Sequence, residues 1–154
     1  MSDPPLTVLH ALHRTTSTSG ALQQAIEAAQ GLRAIGHDAV LLTRPDTAVG
    51  RRCSELDVRH VSQRLRHPLD VASMRRLAEI VASLQVDVVH VHCGVTLGVA
   101  LGASAVGARF ALVANRATSF RPQPILSKAL RSPRVHRIVA TSLAVRDVLL
   151  ARLG

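Results

Sequence analysis

The 154-residue sequence has no tryptophan or tyrosine and only two phenylalanines. Its core is therefore expected to consist of valine, leucine, isoleucine and alanine, which suits helices packed on a buried parallel sheet. Nucleic-acid modules often stack bases on aromatic side chains and concentrate their basic residues in one patch. The net charge is +9, but the arginines are spread along the chain. Nucleic acid is therefore not an expected partner, whereas phosphates or an anionic membrane surface are compatible with the charge.

Cysteines and long apolar runs are also scarce. Cys53 and Cys93 form no CxxC pair, so a disulfide framework is not expected and a reducing cytoplasm fits. The N-terminus lacks the basic region of a signal peptide. The apolar stretch 93–108 is shorter than the roughly 20 residues of a membrane-spanning helix. We therefore expect a cytoplasmic domain without a membrane span.

Short apolar runs alternate with amphipathic segments along the whole chain, which indicates βαβ crossovers and a parallel sheet. The sequence predicts a single Rossmann-like, doubly wound α/β domain over 1–154, with three αβα layers and strand order 3-2-1-4-5-6. Two segments, "RRCSELDVRH" and "SQRLRH", are interpreted as solvated loops or faces. Strands are predicted at 6–13, 39–43, 58–61, 86–92, 110–114 and 135–140. Helices are predicted at 20–35, from Pro68 to 84, and at 95–106, 122–130 and 142–153.

Several glycines have predicted packing roles. Gly36 is placed to end the first helix as a C-terminal cap. Gly31 is expected to allow that helix to pack closely on the sheet. Gly94, Gly98 and Gly102 recur every four residues, which predicts close contact between a bare helix face and the sheet.

In the predicted strand order the first and fourth strands are neighbours, and ligands bind outside their carboxyl ends. We expect segments 14–20, 92–96 and 115–120 to line this crevice. The first of these contains "TTSTSG", at the start of the first helix. Helix N-termini bind phosphate, so Thr18, Ser19 and Gly20 either form a phosphate loop or simply cap the helix. A GxGxxG motif is absent and no acidic residue ends the second strand, so an NAD site is disfavoured; an NADP reductase using Arg44 stays a distant alternative.

The motif "HVHC" at the end of the fourth strand places His90 and His92 on one face, because i and i+2 residues of a strand share a side. Such a pair can begin a zinc site. No further ligand has a matching position in the sequence, so no metal is expected. His90 is interpreted as a hydrogen-bonded core histidine, and His92 and Cys93 as crevice residues that contact a ligand.

Three further residues follow the fifth and sixth strands. Arg116 is suited to bidentate contact with a phosphate or carboxylate, or else is a solvated loop arginine. Ser119 follows in the same segment, "NRATSF". Ser142 either caps the final helix or faces the crevice. From residue types alone, the sequence predicts a Rossmann-like domain with an anion-binding crevice.

Three segments in order resemble the N-terminal domain of family 4 glycosyltransferases, which are retaining GT-B enzymes. They are "SGALQQAIEAAQGLRAIGHDAVLLT", "VDVVHVH" and "VHRIVATSLAVRDVLLARLG". The resemblance implies an acceptor-side domain and a nucleotide sugar as co-substrate, with no other cofactor. It also implies that Ser19 and Gly20 lie at the donor diphosphate, although Ser19 replaces the usual first glycine. Arg116 lies near a position where many members have histidine, and an arginine there suits an anionic acceptor.

The resemblance further implies a sugar or lipid acceptor and action at the cytoplasmic membrane face of a bacterial cell envelope. The C-terminal donor domain and its E-x7-E motif have no counterpart in this sequence. We therefore expect a fragment, a split subunit or a relic, with negligible turnover alone and with a partner chain or homodimer as alternatives. A non-catalytic module that binds an anionic ligand or partner is the second interpretation.

Overall fold

A computed structural model describes residues 4–13, 15–118 and 122–153. Six parallel strands form one sheet in the order β3-β2-β1-β4-β5-β6, which confirms the predicted α/β fold and topology. The strands are β1 (Thr7–Ala11), β2 (Asp38–Thr43), β3 (Arg59–Ser62), β4 (Val88–Val91), β5 (Ala111–Arg116) and β6 (Val135–Ala140).

Six helices alternate with the strands. They are α1 (Gly20–Ala34), α2 (Thr47–Glu55), α3 (Val71–Ser83), α4 (Gly94–Ala105), α5 (Pro124–Leu130) and α6 (Leu143–Leu153). Among the described residues, none of these helices is long and apolar enough to cross a bilayer.

Helix α2 was not predicted, and "RRCSELDVRH" is not a loop; most of its residues form a solvated face, as the other alternative held, but Cys53 and Val58 are buried. This segment contains the second half of α2 and the start of β3. Asp46 caps the helix by accepting hydrogen bonds from the backbone N–H groups of Ala48 and Val49. Val49 and Cys53 are fully buried, and burial raises the pKa of the Cys53 thiol. Val49 and Cys53 are the only buried residues among the described side chains of this helix, so its apolar stripe is too short to stand out.

Two element boundaries differ from prediction. Helix α3 begins after Asp70, whose side chain accepts from the Ser73 backbone N–H, rather than at Pro68. Strand β5 continues through Arg116, which had been placed in a loop. Val71 and Leu143 lie in line with the apolar residues of their helices, but they are 52% and 68% exposed. Each is the first residue of its helix, ahead of the turns that pack on the sheet.

The core consists of two apolar layers, one on each face of the sheet. Helices α1 and α2 cover one face, where Leu12 and Leu41 are fully buried. Helices α3 to α6 cover the other, where Leu9 and Leu42 are fully buried. The two layers around the sheet confirm the expected three-layer arrangement of aliphatic side chains.

The glycine predictions had mixed outcomes. Gly36 has φ of 90° and follows the end of α1, where its N–H donates to the Arg33 carbonyl at 3.1 Å, so the predicted cap is confirmed. Gly31 is exposed and a Cβ there would meet no atom within 4 Å. The prediction that it packs closely on the sheet is therefore wrong.

Gly98 and Gly102 do allow a close approach, but to a different partner than predicted. A Cβ on Gly98 would lie 2.5 Å from Cβ of Pro68 and 2.9 Å from its Cα, and one on Gly102 would lie 2.3 Å from Sδ of Met74. The bare face of α4 therefore packs against α3 and the turn before it, not against the sheet.

Replacing Gly98 with alanine is expected to lower the free energy of unfolding by about 3 kcal/mol, because the new methyl meets backbone atoms that cannot rotate away. Gly94→Ala is the matched control, since its Cβ would meet only Leu126 Cδ1 at 3.6 Å. We expect that variant to change stability by less than about 1 kcal/mol. Urea unfolding followed by far-ultraviolet circular dichroism measures both, and equal stability of the two variants would contradict the packing described.

Candidate functional site

The candidate site lies at the carboxyl ends of β1, β4 and β5, where the strand order reverses direction. Strands β1 and β4 pair in parallel, so the loop before α1 and the N-terminus of α4 emerge from neighbouring strands. This is the position at which open α/β sheets bind ligands.

The loop between β1 and α1 ends in a capped helix. The Ser19 hydroxyl accepts from the backbone N–H of Leu22 at 3.3 Å, and the Ser19 N–H donates to the Thr16 carbonyl at 3.0 Å. Ser19 therefore has the capping role that was one of its two interpretations. Among the described residues, the N–H groups of Gly20 and Ala21 have no acceptor. The first turn contains no acidic side chain, so the positive end of α1 is open to an anion.

Two threonines of this loop differ in environment. Thr15 is 4% exposed, and its hydroxyl has no hydrogen-bond partner among the described residues. Thr18 is exposed, with its hydroxyl oxygen 3.4 Å from that of Thr16. Buried hydroxyls are normally paired, and Thr15 at the base of this loop is an exception.

A pocket of about 220 Å³ lies at the carboxyl ends of the paired strands β4 and β5. Its lining includes His92, Cys93, Asn115, Arg116 and Thr118. The structure thus brings together three of the residues that the sequence singled out, His92, Cys93 and Arg116. Arg116 is half-buried at the end of β5, and its carbonyl accepts from the Thr141 N–H at 3.1 Å. This anchoring places the arginine on a strand rather than on the solvated loop that was its alternative.

Cys93 occupies the cap position of α4. Its N–H donates to the Thr96 hydroxyl at 3.3 Å, and that hydroxyl donates to the Cys93 carbonyl at 3.0 Å. The Cys93 sulfur lies 3.5 Å from the same hydroxyl. Thr96 therefore fixes the turn that presents Cys93 and Gly94 to the pocket.

Ser142 and Ser119 are separate from this group. The Ser142 hydroxyl accepts from the Val145 N–H at 3.3 Å, so it caps α6 as one interpretation predicted. It is not among the residues that line the pocket. Ser119 lies outside the described residues.

Three histidines, His10, His90 and His92, form a cluster on one face of β1 and β4. His10 and His90 are paired directly across the two strands, and His92 follows His90 by two residues. Nδ1 of His10 lies 3.2 Å from Nε2 of His92, and the ring centroids lie 4.6 to 5.5 Å apart. The interpretation of His90 as a hydrogen-bonded core histidine is wrong at its Nε2, which is buried without a partner among the described residues.

Burial keeps these imidazoles neutral. It lowers the pKa of His10 to about 3, with the neighbouring His90 and His92 adding to the effect, and lowers the pKa of His92 to about 3 with a contribution from His90. The pKa of His90 is also lowered by burial. At neutral pH all three rings therefore offer an uncharged nitrogen lone pair.

His10 was not predicted as a partner of the HxH motif, because the sequence alone places no third ligand beside it. The signal was present in the predicted strand order, which already put the first strand beside the fourth. Finding His10 required the register, which pairs Val8 with Val88 and so brings His10 opposite His90. No metal was expected at the HxH motif because the register between β1 and β4 could not be assigned from the sequence.

An apolar groove of about 770 Å³ was also missed. It is bordered by α3, α4 and α5 and shares Cys93 and Gly94 with the smaller pocket. Leu69 and Ile125 stand at its edge with 76% and 83% of their surface exposed. Gly94, Gly98 and Gly102 of α4 line this groove, the last two beside their packing partners Pro68 and Met74. Only the three-dimensional packing reveals it.

Comparison with known proteins agrees with this arrangement. The model of Glycosyltransferase Family 4 matches residues 18–154. No curated protein sequence matches the chain. A glycosyltransferase from Rickettsia africae superimposes with a TM-score of 0.79 at 19% identity, over 97% of this chain and 40% of the other.

Two further solved structures share the fold. HepE from Anabaena, in complex with UDP, has a TM-score of 0.69 at 14% identity, covering 97% of this chain and 41% of HepE. MurG from Acinetobacter baumannii has a TM-score of 0.65 at 15% identity, covering 89% and 41%. The chain thus spans about 40% of the length of these structures. Because the family model covers most of the sequence, the chain belongs to glycosyltransferase family 4.

Proposed function

We propose that this domain is the acceptor-side half of a retaining, nucleotide-sugar-dependent glycosyltransferase whose loop before α1 contacts the donor diphosphate. The observation that carries the proposal is the open N-terminus of α1, where the Gly20 and Ala21 N–H groups have no acceptor among the described residues. Membership of the family supports the reaction class. HepE, a structural neighbour, was solved with UDP.

The chemistry of the loop suits a diphosphate. Backbone N–H groups and the helix dipole favour an anion at this position. Gly20 is exposed and has no Cβ, so a phosphate can approach the main chain closely. The Thr18 hydroxyl is exposed beside it, whereas the Ser19 hydroxyl is already engaged with Leu22. Ser19 therefore supports the loop through the cap, and Gly20 with Thr18 makes the contact.

The acceptor is proposed to occupy the pocket around His92 and Arg116. Arg116 supplies a cation for an acidic or phosphorylated acceptor. The adjoining apolar groove suits a lipid portion of such an acceptor, because the two cavities meet at Cys93 and Gly94. The nucleotide sugar is the co-substrate, and the reaction needs a donor-binding domain on the same or a partner chain.

Gly20→Ala is expected to weaken binding of UDP or inorganic diphosphate about tenfold, because the methyl occupies the approach to the free N–H groups. A Cβ at Gly20 meets no atom within 4 Å, so the variant should fold normally. Gly31→Ala is the matched control, since it also places a methyl in open space but far along the same helix. Amide chemical shifts recorded during a UDP titration measure binding to both variants.

We expect the largest chemical-shift changes at Gly20 and Ala21. The Gly31→Ala variant should bind UDP with the same affinity as the wild type. Equal affinity of Gly20→Ala and the wild type would contradict the placement of the diphosphate.

The alternative is a non-catalytic module that binds an anionic ligand or partner in the same crevice. The anion-compatible end of α1 favours this function as well. The two functions differ in their need for a second domain. A module of this kind binds a ligand saturably, and its addition to a donor-binding domain produces no sugar transfer.

A further inference from the structure

We propose that His10, His90 and His92 together bind one zinc ion. One candidate ligand nitrogen from each ring lies within 4.8 Å of those of the other two. The cluster lies at the pairing of β1 with β4, which fixes two of the three residues on the rigid centre of the sheet. This site shares His92 with the proposed acceptor pocket but is separate from the loop before α1, and metal binding can be tested without sugar transfer.

The spacing is close to that of a tetrahedral site. Zinc binds imidazole nitrogen at about 2.0–2.1 Å, which sets ligand nitrogens of a tetrahedron roughly 3.4 Å apart. Nδ1 of His10 and Nε2 of His92 share a hydrogen bond at 3.2 Å, so a zinc ion would take the place of the proton between them with little change in spacing. Rotation of the His90 ring about its side-chain bonds is the adjustment that brings the third nitrogen into range.

Unsatisfied nitrogen atoms point to the same conclusion. Nε2 of His90, like Nε2 of His10, is buried and has no hydrogen-bond partner among the described residues. A buried acceptor left without a partner costs about 1–3 kcal/mol. A metal ion at the centre of the three rings would satisfy the lone pair of His90.

The surroundings of His92 fit a metal ligand. Its Nδ1 lies 3.4 Å from Nδ2 of Asn115, so as placed the amide donates to this nitrogen. With that amide turned so that its oxygen faces the ring, Asn115 accepts the Nδ1–H and leaves Nε2 for the metal. Asn115 is thus a positioning residue that sets the tautomer of His92.

The ligand types select the metal. Imidazole suits zinc, copper, iron and nickel, whereas magnesium and calcium require oxygen ligands. Within the described residues, no carboxylate or thiol joins the cluster. Three protein ligands leave a fourth position for water or an anionic oxygen. His92 also lines the 220 Å³ pocket, which gives an ion a path from the crevice.

The test is a cobalt titration of the whole chain without a histidine tag, followed by displacement with zinc. Tetrahedral cobalt bound by three imidazoles gives visible absorption bands that solvated cobalt lacks. We expect one ion per chain and micromolar or tighter affinity. His90→Gln and His92→Gln are each expected to weaken binding at least about 100-fold. His67→Gln is the matched control, because His67 is exposed and outside the cluster.

Bands that saturate at one ion, that zinc abolishes and that survive in His67→Gln support the site. Failure of the wild-type chain to develop tetrahedral bands overturns the proposal, and this result needs no variant to fold. Unchanged cobalt affinity in both cluster variants, with native circular dichroism, also overturns it.

Discussion

Acidification from pH 7 to pH 4 is expected to unfold this domain, because the folded state cannot protonate its buried histidines. Burial lowers the pKa of both His10 and His92 to about 3, whereas an unfolded chain titrates histidine near 6.5. Between these values the unfolded state binds more protons, so the free energy of unfolding falls as the pH falls.

The expected loss is comparable to the whole stability of a domain. One histidine contributes about 1.4 kcal/mol for each pH unit within this window. The pair therefore removes on the order of 5 kcal/mol between pH 6.5 and pH 4. Domains are stable by about 5–15 kcal/mol. The groups that face His10 and His92 are His90, whose pKa is also lowered, and the uncharged amide of Asn115. No carboxylate within the described cluster stabilises the protonated form of either histidine.

Urea unfolding at pH 7, 6, 5 and 4, with a chelator present to exclude metal, measures this slope. His92→Gln should flatten the dependence because one depressed pKa is removed. His67→Gln should leave it unchanged, since His67 is exposed. A slope in His92→Gln as steep as in the wild type would show that other groups cause the acid sensitivity.

The architecture was predictable because its signals are local and repeated. The spacing of Leu22, Ala25, Ile26 and Ala29 marks one face of α1, and all four residues are buried. Valine-rich strands such as β4 mark a sheet covered on both sides. Alternation of these elements, together with the handedness of crossovers, left few topologies to consider.

Features that depend on contacts between distant segments were not predictable in the same way. The spacing of Gly98 and Gly102 showed a bare helix face, but not that Pro68 and Met74 would pack on it. The third histidine of the cluster, His10, required the register of two strands that are 80 residues apart along the chain. Capping was one of the two predicted roles of Ser19 and of Ser142, and it could be foreseen because capping is a local interaction.

The largest expected effect concerns catalysis. The described residues build one wall of the proposed crevice, which comprises the loop before α1 and the pocket proposed for the acceptor. Group transfer requires donor and acceptor to be held in line at near-contact distance, and such positioning is equivalent to effective concentrations of about 10⁵–10⁸ M. We therefore expect the 154-residue chain by itself to transfer sugar at the background rate.

Supplying a donor-binding domain, by fusion or as a separate chain, is expected to raise transfer by more than about 10³-fold. Gly20→Ala should reduce the rate of the assembled pair when the nucleotide sugar is below saturation, because the variant weakens the diphosphate contact in both ground and transition states. Gly31→Ala should leave that rate unchanged. This contrast separates a role of the loop from a general loss of stability.

The most direct measurement is the rate of labelled sugar transfer by the chain, by the donor-binding domain and by the two together, across several nucleotide sugars and acceptors. The predicted result is transfer by the pair alone, with retention of anomeric configuration and sensitivity to Gly20→Ala but not to Gly31→Ala. A well-folded pair that transfers no sugar from any donor to any acceptor would contradict the assignment of this domain as half of a glycosyltransferase.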